Sequence, residues 1–277
     1  MSIKTLALPM FSSPEADWLA TAGCELARAL DAHIIGVHPS EPVMVYSMGL
    51  EPVILPAYED WQRKTAVGIE EAFEKAARLS GVASEYRSQS SVPSGAETYL
   101  LSSLRGADLV VMAPEQIEVD TPSAKRLRAQ VIRQSGRPVL LQPKGAPLAG
   151  LAKRVLIGWS DTREATRAAH DALALAEEGA EVELLLIGSA AKAEGAPAGS
   201  REDLAAALDR QGYQVSLVDH QPAGSDVGPE LLKVARKRGA DLVVSGAFGH
   251  SQLYDFVIGA VTSHILESAD LPVLLSK

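Results

Sequence analysis

The chain has 277 residues, of which 47% are hydrophobic, 22% charged and 5% aromatic. That composition excludes a disordered state and suits aliphatic strands packed on alanine-rich helices. The formal charge of −9 is shared by two acidic halves, which argues against nucleic acid as a partner. No run of about 18 apolar residues is present, so no membrane partner is expected.

Taken in chain order, the opening Met1-Ser2-Ile3-Lys4 runs straight into a strand-like segment and lacks the pattern of a signal peptide. Strands are predicted near Thr5–Pro9, His33–His38, Ser84–Ser88, Asp108–Met112 and Val139–Leu141, with helical spacing between them. The lone Cys24 lies in a helical pattern and cannot form an internal disulfide. It reads as core, and a reducing cytoplasmic location fits. Histidines are scattered without metal-ligand spacing, so no metal site is expected.

In the second half, strands are predicted over Arg154–Trp159, Glu181–Ile187, Gln214–Val218, Asp241–Ser245 and Val273–Leu275. Helices are predicted over Arg163–Glu177, Arg201–Gln211, Pro229–Arg238 and Ser251–Ser268. Each half therefore alternates strand and helix through five strands. Such alternation implies a mostly parallel sheet covered on both faces, with functional loops at the carboxyl ends of the strands.

The halves repeat one another. Gly106-Ala107-Asp108-Leu109-Val110-Val111 recurs as Gly239-Ala240-Asp241-Leu242-Val243-Val244, and Pro138-Val139-Leu140-Leu141 recurs as Pro272-Val273-Leu274-Leu275. The Pro/Gly/Ala-rich text from Pro143 to Gly150 reads as a joint, which places one domain at 1–146 and a second at 151–277. The first half carries extra apolar residues in Pro39–Tyr58, expected to pack on the other half or over the sheet edge. The matching apolar strands Val139–Leu141 and Val273–Leu275 are expected to join the two halves edge to edge.

The strand ending at Ser245 runs into Gly246-Ala247-Phe248-Gly249-His250-Ser251, and nine residues separate Gly249 from Gly259. This Gly-x2-Gly-x9-Gly spacing can bring main-chain N–H groups close to an anionic phosphate at a helix start. Gly259 sits in a helical pattern, where glycine costs about 1 kcal/mol relative to alanine. The bland reading of all three glycines is a strand-to-helix turn.

With these motifs the chain resembles a tandem universal stress protein over nearly its whole length. The resemblance implies two five-stranded α/β domains of adenine nucleotide α-hydrolase-like type. It also implies a stress-response role as a regulatory, nucleotide-binding protein, not an enzyme. The implied ligand is ATP, with or without Mg2+, and the implied assembly is a homodimer. In that family the nucleotide pattern ends in Gly followed by Ser or Thr, with an Asp at the end of the first strand. Here Gly246, Gly249 and Gly259 match, Ala260 stands at the hydroxyl position with Val261 after it, and Thr262 is a substitute hydroxyl. The first-strand Asp position, after Gly158 and Trp159, holds Ser160. Trp159 either stacks on adenine or fills the pocket. Ile187 closes the second strand beside the adenine position, Ser245 precedes the glycine loop, and His250 lies next to the phosphates. The first half has Ala113-Pro114-Glu115-Gln116, Lys125, Arg126 and Phe11 at the matching positions, and no nucleotide site is expected there.

Weaker constellations have plain readings. Ser251, His250 and Asp255 share one local segment and lack the convergence a catalytic triad needs. Asp219-His220-Gln221-Pro222 is expected to form a turn at a pocket rim. Lys233, Arg236, Lys237 and Arg238 suit a helix C-terminus. Two alternatives stay open: a ligand-free interaction scaffold, and a weak ATPase or phosphotransfer activity for which Asp161 is the available carboxylate.

Overall fold

A computed structural model describes residues 2–40, 56–89, 95–115, 120–188, 199–222, 224, 226–248 and 259–277. The first half runs β1 (Thr5–Pro9), α1 (Ser13–Ala29), β2 (His33–Pro39), α2 (Pro56–Ser80), β3 (Ser84–Gln89), α3 (Gly95–Leu104), β4 (Leu109–Met112), α4 (Pro122–Gln134) and β5 (Val139–Leu141). The second runs β6 (Ala152–Gly158), α5 (Arg163–Ala172), β7 (Ala176–Ile187), α6 (Ser200–Asp209), β8 (Gln214–His220), α7 (Val227–Arg238), β9 (Leu242–Gly246), α8 (Ala260–Ser268) and β10 (Val273–Ser276). Most of the expected Pro39–Tyr58 insertion lies outside the described residues, and α2 takes up its end at Pro56.

The strands form one ten-stranded sheet in the order β3-β2-β1-β4-β5-β10-β9-β6-β7-β8. Within each half all pairs are parallel. The halves meet where β5 pairs antiparallel with β10, with Val139 opposite Leu275, Leu140 opposite Leu274 and Leu141 opposite Val273. Each strand closes the edge the other would expose, as the recurrence of Pro-Val-Leu-Leu leads one to expect. Glu115 N–H also donates to the Leu266 carbonyl across the joint, at 2.7 Å.

Alternation along the strands divides the interior into two cores. Leu6, Leu8, Val111, Leu140, Ile157, Val244 and Leu274 face α1, α2, α5 and α6. Ala7, Val110, Met112, Leu141, Leu156, Val243 and Leu275 face α3, α4, α7 and α8. Each core passes through both halves without a break. Cys24 is buried in the first of them, and burial pushes its thiol up to about 11, as suits plain packing.

The repeated Gly-Ala-Asp motif has a structural explanation. Asp108 Oδ2 accepts from the amides of Lys4 and Thr5 at 2.8 and 2.9 Å. Asp241 Oδ2 accepts from those of Lys153 and Arg154 at 3.0 and 2.9 Å. In both halves the carboxylate before the fourth strand satisfies the main chain where the first strand begins.

Three expectations need correction. The helix expected over Ser251–Ser268 does not run through Gly259, which is extended and caps α8 where it begins at Ala260. The helix expected through Glu177 stops at Ala172, and a 3-10 turn over Leu173–Leu175 leads into β7 at Ala176. The cause is that Ala176 pairs with Ala152, followed by a register shift around Gly179, whose φ of 75° suits glycine. Asp219 and His220 are strand residues of β8, not a turn, because they pair with Leu186 and Ile187. Their side chains are also paired, Asp219 with Arg201 and His220 with Glu230, each at 2.7 Å.

Candidate functional site

The order within the second half reverses between β9 and β6: α5 leaves β6 toward one face, and α8 follows β9 on the other. Ligands of open α/β sheets occupy the crevice outside the strand ends at such a switch point. Gly158 and Ser245 are paired there.

Packing requires a glycine at 246 and leaves little room beside Gly158. A Cβ on Gly158 would meet Leu231 at 3.2 Å, and one on Gly246 would stand 2.6 Å from the Ala165 amide nitrogen. The glycine at 246 thus admits the start of α5 to the sheet. Trp159 is 9% exposed and belongs to the core that contains Ile157 and Leu184. Ser160 Oγ lies 3.2 Å from Thr162 Oγ1, the side chain that caps α5 by accepting from Ala165 N–H. Ile187 ends β7 and packs partly buried on the other core. Ser245 is buried, and its hydroxyl donates to the Gly246 carbonyl at 3.0 Å.

The start of α8 is different. Gly259 is its N-cap and has no side chain with which to cap it, and among the described residues no atom lies within 4 Å of where its Cβ would stand. Ala260 is exposed, Val261 is half-buried, and Thr262 is 2% exposed, turned into the protein. Amides of a helix start that no side chain caps suit an anion. Gly249, His250, Ser251 and Asp255 lie outside the described residues. Phe248, the last described residue before them, has φ of 65°, a strained value for a bulky side chain. Among the described residues no cluster of three His, Cys, Asp or Glu side chains is placed to hold a metal ion.

The first half holds a buried ionic network beneath the matching strand ends. Arg128 of α4 is fully buried, as are the side chains of Glu15 and Asp120. Its guanidinium donates to Glu15 at 2.5 Å, to Asp120 at 2.9 and 3.0 Å, and to the Ala113 carbonyl at 3.0 Å. It also lies 4.6 Å from the centre of the Phe11 ring. Burial raises the Glu15 pKa against the pull of Arg128. Lys125 pairs with Glu115 at 3.5 Å and Arg126 with Glu97. Above this network lies a cleft of about 350 Å³ whose lining includes Phe11, His38, Trp61, Thr65 and Leu127.

A second cleft, also of about 350 Å³, opens where the halves meet and is lined by Arg133, Arg137, Arg163, Arg167 and Lys277 with Ile132 and Gly136. Local sequence gives no sign of it, since its cations are spread from α4 to the end of β10. By contrast, three of the four cations of α7 are paired, Lys233 with Glu230, Arg236 with Asp270 and Arg238 with Glu183.

Comparison with known proteins bears on the second half directly. Residues 152–277 match the universal stress protein family. A 48-residue stretch is 31% identical to universal stress protein MJ0577 of Methanocaldococcus jannaschii, covering 17% of this chain and 30% of that relative's length. The whole chain superposes on a universal stress protein of Archaeoglobus fulgidus with a TM-score of 0.71 at 14% identity, covering 99% of this chain and 96% of that one. It also superposes on the functionally unknown protein PA1789 of Pseudomonas aeruginosa with a TM-score of 0.58 at 16% identity, over 100% and 93% of the two chains. At these identities the likeness establishes an α/β fold with a mostly parallel sheet, shared with those structures over the full length. No helix among the described residues is long and apolar enough to cross a membrane.

Proposed function

We propose that the chain is a tandem universal stress protein acting as a nucleotide-responsive regulatory protein of the cytoplasm. Its second half binds an adenine nucleotide, ATP, and its first half has given up the site. The observation that carries this reading is the start of α8. It follows β9, whose neighbour β6 marks the switch point; its N-cap is a glycine, and among the described residues no atom stands within 4 Å of that glycine's Cβ position. Phosphates favour such a helix start through its amides and its dipole. The first half supports the asymmetry, because Arg128 with Glu15 and Asp120 occupies the interior beneath its strand ends. Two chains pairing through their remaining surfaces complete the proposal.

The burial of Trp159 and the Ser160–Thr162 contact favour a second reading, a ligand-free interaction scaffold. Mass analysis of small molecules released from freshly purified protein separates the two. Released adenine nucleotide supports the first. No released nucleotide, together with no binding of added ATP, leaves the scaffold. Product accumulating from added ATP over time would show an enzyme instead.

A further inference from the structure

We infer that the cleft over the strand ends of the first half binds a small uncharged aromatic ligand that donates one hydrogen bond. That class is distinct from the nucleotide proposed for the second half. The cleft, of about 350 Å³, lies among the ends of β1 and β2, α2 and the start of α4. None of its described lining residues is Lys, Arg, Asp or Glu, and its large walls are Phe11, Pro39, Trp61 and Leu127. Clefts of this size and lining bury a compact organic molecule and orient it through a few polar groups. One such group is His38. It is 6% exposed, and its Nδ1 donates to the Met10 carbonyl at 2.9 Å. That bond commits the proton to Nδ1, and burial lowers the pKa and favours the neutral ring. Nε2 is then an acceptor. No described group bonds Nε2, yet among the described residues no buried side-chain polar atom lacks a partner. Nε2 is therefore open to the cleft that His38 lines, and a ligand N–H or O–H satisfies it.

Phosphate is disfavoured in the same place. Pro122 opens α4 and has no N–H, and the Thr121 hydroxyl takes the Ala124 amide at 3.1 Å. The Thr121 carbonyl takes the Lys125 amide, also at 3.1 Å. The start of α4 is thus spent on its own cap, unlike a helix start that holds an anion through its amides. Beneath the cleft, Arg128 faces two buried carboxylates, Glu15 and Asp120, so the network presents no surplus cation to an anion. Its guanidinium carbon lies 4.6 Å from the centre of the Phe11 ring, which steadies that wall.

The probe is indole, titrated into the full chain by calorimetry. Saturable one-site binding is expected. 1-Methylindole keeps the ring and loses the donor, and should bind at least five-fold more weakly. Indole-3-carboxylate, the same ring as an anion, should also bind at least five-fold more weakly. Thr65→Phe places a second ring in the cleft from α2 and should lose indole binding, with a melting temperature near the parent's. Trp61→Ala, at a half-exposed position, removes one wall without filling the cleft and should weaken binding at least three-fold. Leu79→Thr, at an exposed position about 21 Å further along α2, should change affinity less than two-fold. No saturable indole binding, equal binding of 1-methylindole, or unchanged affinity in either cleft variant overturns the inference. Displacement of indole by ATP also overturns it, since the cleft would then be a nucleotide site. The α8 site is read separately: Gly259→Val should bind indole as the parent does, whatever it does to ATP.

Discussion

A methyl group at Gly246 would press on the amide of Ala165 at 2.6 Å, whereas one at Gly259 would meet nothing within 4 Å among the described residues. The glycine spacing alone does not distinguish these roles, because both residues flank a strand-to-helix turn. Gly246→Ala should lower stability by about 1–3 kcal/mol, the usual cost of overpacking, and Gly259→Ala by less than about 1 kcal/mol. Equal urea midpoints for the two variants would contradict this. His38 offers a pH test. Its Nδ1 lies 2.9 Å from the Met10 carbonyl and must donate to it, and burial lowers its pKa from the usual 6.5. The unfolded chain then takes up a proton that the folded chain refuses. The stability this residue contributes is complete above about pH 6.5 and is lost as pH falls through the lower folded value. The melting temperature of the parent should therefore drop more than that of His38→Asn between about pH 7.5 and 5.5. Parallel pH profiles would contradict it.

Among the elements, α4 departs furthest from what its sequence suggests. Its amphipathic pattern predicts the helix, and Thr121 caps it by accepting from Ala124 N–H at 3.1 Å. Nothing local marks Arg128 for burial, because Glu15 lies 113 residues away. Only the folded sheet brings α1 and α4 together. Removing the cation alone would strand two buried carboxylates. Arg128→Met should cost about 3–5 kcal/mol, while replacing Arg128, Glu15 and Asp120 together by apolar residues should recover most of it. Chemical denaturation of the single and triple variants reads this directly; a single variant as stable as the parent would refute the network's role. The early start of β7 has a similar origin. Glu177-Glu178-Gly179 reads as a helix end, but pairing of Ala176 with Ala152 decides the outcome.

At the scale of the whole molecule, the joint was the most legible feature. Recurring Pro-Val-Leu-Leu marked two equivalent edges, and β5 and β10 pair through those residues. The basic cleft beside that seam was illegible, since its cations are ordinary helix and loop residues until the halves meet. The same holds for the strand-end crevice: spacing identified Gly259, but only packing shows that no described residue stands against its Cβ position. The account's central claim is that α8 presents this opening to a nucleotide. Calorimetric titration of ATP into the parent and Gly259→Val tests it most directly, with melting temperatures recorded for both. The prediction is saturable binding by the parent, lost in the variant while its melting temperature stays near the parent's. Equal ATP binding by Gly259→Val, or no binding by the parent, would contradict it.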